Sequence, residues 1–330
     1  MMKTKWYIGA LAVLFVACKA PTLQEEAAGK YGLFKANGTE CAQIDSMVNG
    51  VAFQLLHEMH RNQENFLVSP LGLCYALNML NAGAEGMTQQ QISRVLGREG
   101  LADSLCRKML LADAATVKSH SESPDDEVAT LTSANKLVIG ADVALLSAFE
   151  ERMIQSYFAT IEAGKEAQKL ILSNTLTFDG AWKEEFEPTE TQPHTFTTEQ
   201  GKAAKVPLMK GQFDLNYMET EDYQLVKIPY KGDFNLYVLL PKMGKKLGQI
   251  VPNLNATAWR QAVKQMELAD VSLWFPKFSA AKENDMKGVL RQLGVQDAFD
   301  MKLANLSNMV AERAYVDEVK QKVRIDFNEQ

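Results

Sequence analysis

Two alternating runs, far apart in the chain, constrain this sequence more than anything else in it. The first, KLILSNTLTFD (169–179), sets Leu170, Leu172, Leu176 and Phe178 on one side and Ser173, Thr175, Thr177 and Asp179 on the other. The second sets Val319, Val323, Ile325 and Phe327 against Lys320, Lys322, Arg324 and Asp326. Period two with β-branched residues predicts strands buried on one face. Each run carries one amide in its apolar register, Asn174 and Gln321. A buried amide must be hydrogen-bonded or it destabilises the fold, so both residues are candidates for more than packing.

Between the two runs, KVPLM and VKIPYKGDFNLYVLLPK are short apolar stretches punctuated by Pro, Gly and Asp, which is the pattern of hairpins. The N-terminal half is helical by periodicity. Val48 to Arg61 repeats apolar residues at helical spacing. Its His57 and His60 stand at i and i+3, whereas zinc helices use i and i+4, so no metal is expected. Asn65 to Ser69 reads as a short strand. Pro70 then opens a helix that is apolar nearly all round and therefore central. Thr88 to Gln91 reads as a capping box opening the next helix, which Gly97 closes. Residues 101–114 predict a further helix and 119–127 a loop. Thr130 to Ile139 predicts a second strand of the main sheet, followed by a helix over 145–158 and a short strand over 159–163. After Pro241 the pattern gives helix over 247–266 with a break at Pro252, strand over 271–279 bent at Pro276, and helix over 285–293.

The chain begins with a basic, then apolar stretch, MMKTKWYIGALAVLFVAC, too short to span a bilayer and suited to export. It ends in Phe15-Val16-Ala17-Cys18, which resembles a bacterial lipobox, so Cys18 is the expected lipidation site and the chain an exported surface or periplasmic lipoprotein, or an extracellular one. Residues 1–18 are thus read as signal, 19–45 as tether, and 46–330 as one domain. The 330 residues are 46% hydrophobic, enough for a large core, and large mixed sheets run to this length as a single unit. A net charge of −6 without a basic cluster argues against nucleic acid. Cys74 reads as a buried apolar residue, while Cys41 and Cys106 fit either a disulfide or two free thiols. GxSxG, HExxH, P-loop and GxGxxG motifs are absent, and no histidine stands beside a nucleophile motif, so neither an enzyme nor a cofactor site is expected.

Taken in order, ENFLVSPLGLCYALNMLNAGAEGMTQQQISRVLG, SNTLTFDGAWKEEF, KVPLM, YQLVKIPYKGDFNLYVLLPK, LWFPKFS, GVLRQLGV and AYVDEVKQKVRIDFNEQ resemble the serpins, a family of serine protease inhibitors. The resemblance implies an α+β fold, helices packed around a large central mixed sheet and smaller sheets. It implies inhibition by a trap. A protease attacks an exposed loop, and the cut loop inserts into the main sheet as a new strand. By position, Ser69, Asn174 and Gln321 match the polar cluster beneath the sheet, and Trp182 and Lys322 match the upper opening where the loop first enters. The partners implied are secreted or surface serine proteases, with cysteine proteases as the alternative. Two departures stand out. The family carries a helix laid across the sheet where this chain has only GKEAQ (164–168). That link spans about 17 Å and crosses one intervening strand if the strands it joins run antiparallel. RIDFNEQ stops where the family continues into its hinge, reactive loop and last strands, which leads to the expectation that this polypeptide does not itself inhibit. The competing readings are a non-inhibitory binding protein on the same framework and a degenerate fragment.

Overall fold

The computed structural model describes residues 38–61, 65–97, 100–110, 129–165, 169–199, 201–232 and 234–330. The export segment, Cys18 and the loop read at 119–127 lie outside the described residues. Helix α1 (Gly38–His60) starts well inside the stretch read as tether, so the folded domain begins by residue 38. Next come α2 (Pro70–Gly83), α3 (Gly86–Leu96) and α4 (residues 103–110). Ser69 caps α2, its Oγ accepting from the Gly72 N–H at 3.1 Å, and Pro70 takes the first turn, where a missing N–H costs nothing.

The main sheet contains β1 (Thr130–Ile139), β2 (Thr160–Ala163), β3 (Lys169–Asp179), β9 (Phe278–Asp285) and β10 (Tyr315–Phe327) in the order β2-β1-β3-β10-β9. Helix α5 (Ser147–Tyr157) joins β1 to β2, and α8 (Lys287–Gln292) follows β9. β2 runs parallel to β1 and β1 antiparallel to β3. The 164–168 link therefore joins antiparallel strands across one neighbour, which is the geometry its length permits.

The second sheet is β4 (Gln192–Thr197), β5 (Ala203–Glu219), β6 (Tyr223–Pro229) and β7 (Asn235–Pro241), with β8 (Glu267–Pro276) paired to β5. Two short helices, α6 (Leu247–Ile250) and α7 (Ala256–Lys264), pack outside it, with a 3-10 turn at Val251–Asn253 and Asn255 capping α7.

Three apolar clusters fill the molecule. Under the main sheet lie Leu131, Leu137, Leu170, Leu172, Leu176 and Val319, packed on α2, α3 and α5. Trp182, Met209, Leu273, Phe275 and Phe327 form a second cluster where the two sheets meet. Leu225, Tyr237, Leu239 and Trp259 form a third, against α1. β7 alternates between the last two clusters and is buried on both faces.

Three readings of the elements are corrected. Residues 65–69 are extended but form no ladder, because their backbone is held by side chains of the sheet: Asn284 Nδ2 donates to Leu67 O at 2.8 Å, and Gln321 takes both groups of Ser69. α3 starts at Gly86, not at a capping box. Thr88 Oγ instead accepts from the Asn305 N–H, and Gln91 Oε1 accepts from Gln296 and Asp297, so the two polar side chains anchor a neighbouring loop. Pro276 ends β8 rather than bending it, and a separate strand, β9, fills the stretch between the strand read to 279 and the helix read from 285. β9 buries little besides Asn284, so it shows no alternation to read. Cys106 is a buried thiol outside any disulfide, pushed up to about 12 by burial, which decides the alternative left open for it, and Cys74 is buried in the core, as read.

Candidate functional site

β3 and β10 lie side by side and run parallel. Their ladder extends from Lys169↔Tyr315 to Leu176↔Val323, broken by one bulge between Val316 and Glu318. No unfilled gap separates them over that length. Above Leu176 and Val323 the strands part. Thr177 to Asp179 stay bonded to β1 only, and Arg324 to Phe327 to β9 only. The divergence opens a cleft of about 450 Å³ lined by Phe178, Gly180, Trp182, Tyr230, Arg324 and Phe327 among others. Just beneath the parting point sits a small cavity of about 40 Å³, bounded by Val48, Ser69, Leu176, Val323 and Ile325.

The two amides of the seam face the same buried side, next to each other in register, yet they bond to different elements. Gln321 clamps the N-cap of α2: its Oε1 accepts from the Ser69 N–H at 2.7 Å and its Nε2 donates to Ser69 O at 2.7 Å. Asn174 Nδ2 donates to Ser133 Oγ at 2.9 Å and to Asn135 Oδ1 at 2.8 Å, tying β3 to β1. Asn135 continues inward, its Nδ2 donating to Tyr157 O at the end of α5. Among the described residues, Asn174 Oδ1 is buried without a partner. It points at Gly72, where a Cβ would stand only 2.0 Å away, so glycine is what lets α2 approach the sheet.

Trp182 is 1% exposed and floors the cleft. It stacks on Tyr230 (4.4 Å, 14°) and Phe327 (6.0 Å, 12°), and its Nε1–H donates to Asn328 O at 2.8 Å. Lys322 is not part of this opening. It lies below the parting point on the outer face, 57% exposed, and pairs with Glu283 of β9 at 3.3 Å. Beside the cleft, Glu329 fastens the end of β10 to its neighbours. Its carboxylate takes Lys277 Nζ at 2.6 Å and Thr191 Oγ1 at 2.9 Å, while its carbonyl accepts from the Phe186 N–H. The Lys277 bond holds the Glu329 carboxyl below its ordinary value.

Sequence reading missed Ser133, Asn135, Lys277 and Glu329. The first two carried a usable signal, since both interrupt the apolar register of Leu131, Leu137 and Ile139, as Asn174 does its own. Lys277 and Glu329 carried none, because only the fold brings them together. His57 is a helix-edge residue, its Nε2 within 2.8 Å of Leu254 O and 3.1 Å of Val251 O. Among the described residues no group of three metal-ligating side chains occurs, and no helix is long and apolar enough to cross a membrane.

A model of the serpin (serine protease inhibitor) family matches residues 46–165 and 159–330. This chain belongs to the serpin family. The two matched segments overlap at 159–165, which holds β2 and the first residues of the short link to β3. Among its relatives, human Serpin I2 is 27% identical over 305 residues, covering 81% of this chain and 74% of that protein. Mouse neuroserpin is 26% identical over 309 residues, covering 81% and 74%. A serpin-like protein of Methanosarcina acetivorans is 25% identical over 318 residues, covering 85% and 73%. The fold is similar to that of native protease nexin-1 with heparin (TM-score 0.77, 22% identity, 88% of each chain). It is also similar to thyroxine-binding globulin complexed with thyroxine (TM-score 0.74, 18% identity, 87% of each chain). The serpin fold is thus shown, and with it a family whose members are generally protease inhibitors rather than enzymes.

Proposed function

We propose that this chain is the strand-accepting framework of a serpin-type inhibitor of serine proteases, and that an extended segment enters its main sheet between β3 and β10 from the cleft over Trp182. The observation that carries this reading is the partial ladder. β3 and β10 are bonded below Leu176 and Val323 and separated above, so a strand meets an entrance already formed. Beneath it, Ser69, Gln321, Asn174, Ser133 and Asn135 form bonds between side chains, or between a side chain and one backbone unit. Such bonds can re-pair when the strands part, whereas apolar packing would leave voids. The Lys277–Glu329 pair fastens the upper end of β10 to the start of β9, on one side of the entrance. The partners are secreted or surface serine proteases. The protein is exported and held at a membrane surface through a lipid on Cys18.

The insertion reading is tested with an Ala-rich peptide as long as the 11-residue β3, added to the chain without its signal. Uptake that raises the melting temperature over a scrambled peptide is expected. No stabilisation of a cooperatively folding sample would remove the seam from consideration. Export is tested separately: radioactive palmitate should label cells expressing the wild type and not Cys18→Ser, and label persisting in the mutant would refute lipidation at that residue.

A further inference from the structure

We infer that the strand taken up between β3 and β10 is acidic on its outer face, with Glu or Asp at alternate positions that come to lie beside Lys320, Lys322 and Arg324 of β10. This selection rests on strand entry at the seam as proposed, and concerns which segments the seam accepts.

In a sheet, residues level with one another on neighbouring strands share a face. On the outer face of β10 the order is Glu318, Lys320, Lys322, Arg324, Asp326. Three cations thus stand at consecutive outward positions. Arg324 lines the entrance cleft, and Lys322 and Lys320 follow it down the seam. Lys322 and Arg324 are exposed and Lys320 half-buried. The two sides of this row differ. Toward β9, Lys320 is level with Asp285, and Lys322 pairs with Glu283 at 3.3 Å. Along β10 itself, Lys320 pairs with Glu318 at 2.8 Å and Arg324 with Asp326 at 2.6 Å. Toward β3, the positions level with Lys320 and Lys322 are Ser173 and Thr175, and Thr177 comes next. The side on which a strand enters therefore offers hydroxyls and no carboxylate.

A strand set between β3 and β10 brings one outward side chain to about 4.5–5.5 Å, between Cβ atoms, from each of the three cations. A carboxylate there is attracted by the cation on one side and can accept from a Ser or Thr hydroxyl on the other. A Lys or Arg there stands beside a like charge, which is unfavourable. Glu318 and Asp326 bound the row, so the favoured pattern is three acids at alternate positions and no more. Each exposed pair contributes little alone, so selection comes from the three together and is weakened by salt.

The experiment uses the full chain and three peptides as long as the 11-residue β3. All three are alanine sequences blocked at both ends, with Glu, Gln or Lys at three alternate positions, and binding is read from the anisotropy of a common label. The Glu peptide should bind about tenfold tighter than the Gln peptide, and the Lys peptide most weakly. The ranking should flatten when salt is raised from about 0.05 M to about 1 M. Lys322→Glu should cut the preference for Glu over Gln by about threefold or more. Lys302→Glu, an equal change of charge on the exposed loop between α8 and β10, should leave it unchanged. Three peptides that bind equally would overturn the acidic preference while leaving strand entry intact. Binding of none would overturn both. A preference for Glu that Lys322→Glu does not alter, or that survives high salt in the wild type, would refute its assignment to the cation row of β10.

Discussion

At the scale of single residues, the region beneath the sheet is polar where the surroundings are apolar, and Asn174 shows what that costs. Its Nδ2 satisfies two acceptors while its Oδ1 faces Gly72 unpaired. Replacing Asn174 by Leu leaves Ser133 Oγ and Asn135 Oδ1 without their donor and should lower stability by about 1–3 kcal/mol in urea unfolding. Lys183→Ala, at an exposed site, should change it little. Gly72→Ala should reach the same range from the opposite side, because the new methyl group displaces the Asn174 carbonyl. The two substitutions combined should cost clearly less than their sum, since they act on one contact; full additivity in a double-mutant cycle would show the two residues to be independent. Glu329 gives a pH signature. Its carboxyl is held below the ordinary 4.5 by the Lys277 bond, so the stability it adds is present above that value and disappears as pH falls through it and then through the lowered folded value. The melting-temperature gap between wild type and Glu329→Gln should therefore be widest near neutrality and shrink below about pH 4.5. A gap independent of pH would exclude the charge as its cause. Asn174 and Gln321 were legible because a polar residue in an apolar register is a local anomaly, whereas Ser69 was legible only through its position in the family resemblance. Lys277 and Glu329 were not, because nothing local marks a pair brought together only by the fold.

At the scale of elements, the seam is a ladder with a loose top and a fastened bottom. At the lower end the β10 bulge presents Asp317 to Lys169 of β3 and Lys287 of α8, at 3.2 and 3.5 Å. All three side chains are partly exposed, so the pairs contribute about 0–1 kcal/mol each, but they sit where the ladder must stop opening. Hydrogen exchange should rise along the two strands from this end toward Leu176 and Val323. In Asp317→Ala the protection of the lowest pairs should fall while that of β1 is kept, and a uniform loss over the whole sheet would argue against a local fastening. The elements themselves were legible where side chains alternate, as in β1, β3 and β10. They were hidden where the backbone bonds decide the structure without a buried face, as in β9, or where side-chain amides hold an extended segment that no ladder pairs, as in 65–69.

At the scale of the whole molecule, the strands part where the main sheet passes from one apolar core to another. Leu170, Leu172, Leu176, Val316 and Val319 belong to the core over the helices, and Phe327 and Trp182 to the core between the sheets. The upper core can thus rearrange while the lower one stays packed. Trp182 reports on it: of the tryptophans among the described residues, it alone lines the cleft. Strand uptake should change its fluorescence, and Trp182→Phe, which loses the bond to Asn328 O, should cost about 1 kcal/mol and remove most of that signal. A signal undiminished in the variant would place the change elsewhere. The overall architecture was legible from the order of its motifs, whereas the division into cores was not, because it depends on how the sheets cross. The direction of β3 and β10 has one more consequence. Two neighbours pointing the same way can both take, between them, a strand pointing the opposite way. One parallel ladder, the weaker kind, would then be exchanged for two antiparallel ones. On the proposed function, a strand taken up there would add hydrogen bonds that the sheet lacks without it. The rate at which β3 and β10 open, more than the equilibrium stability of the sheet, would then set how fast uptake occurs.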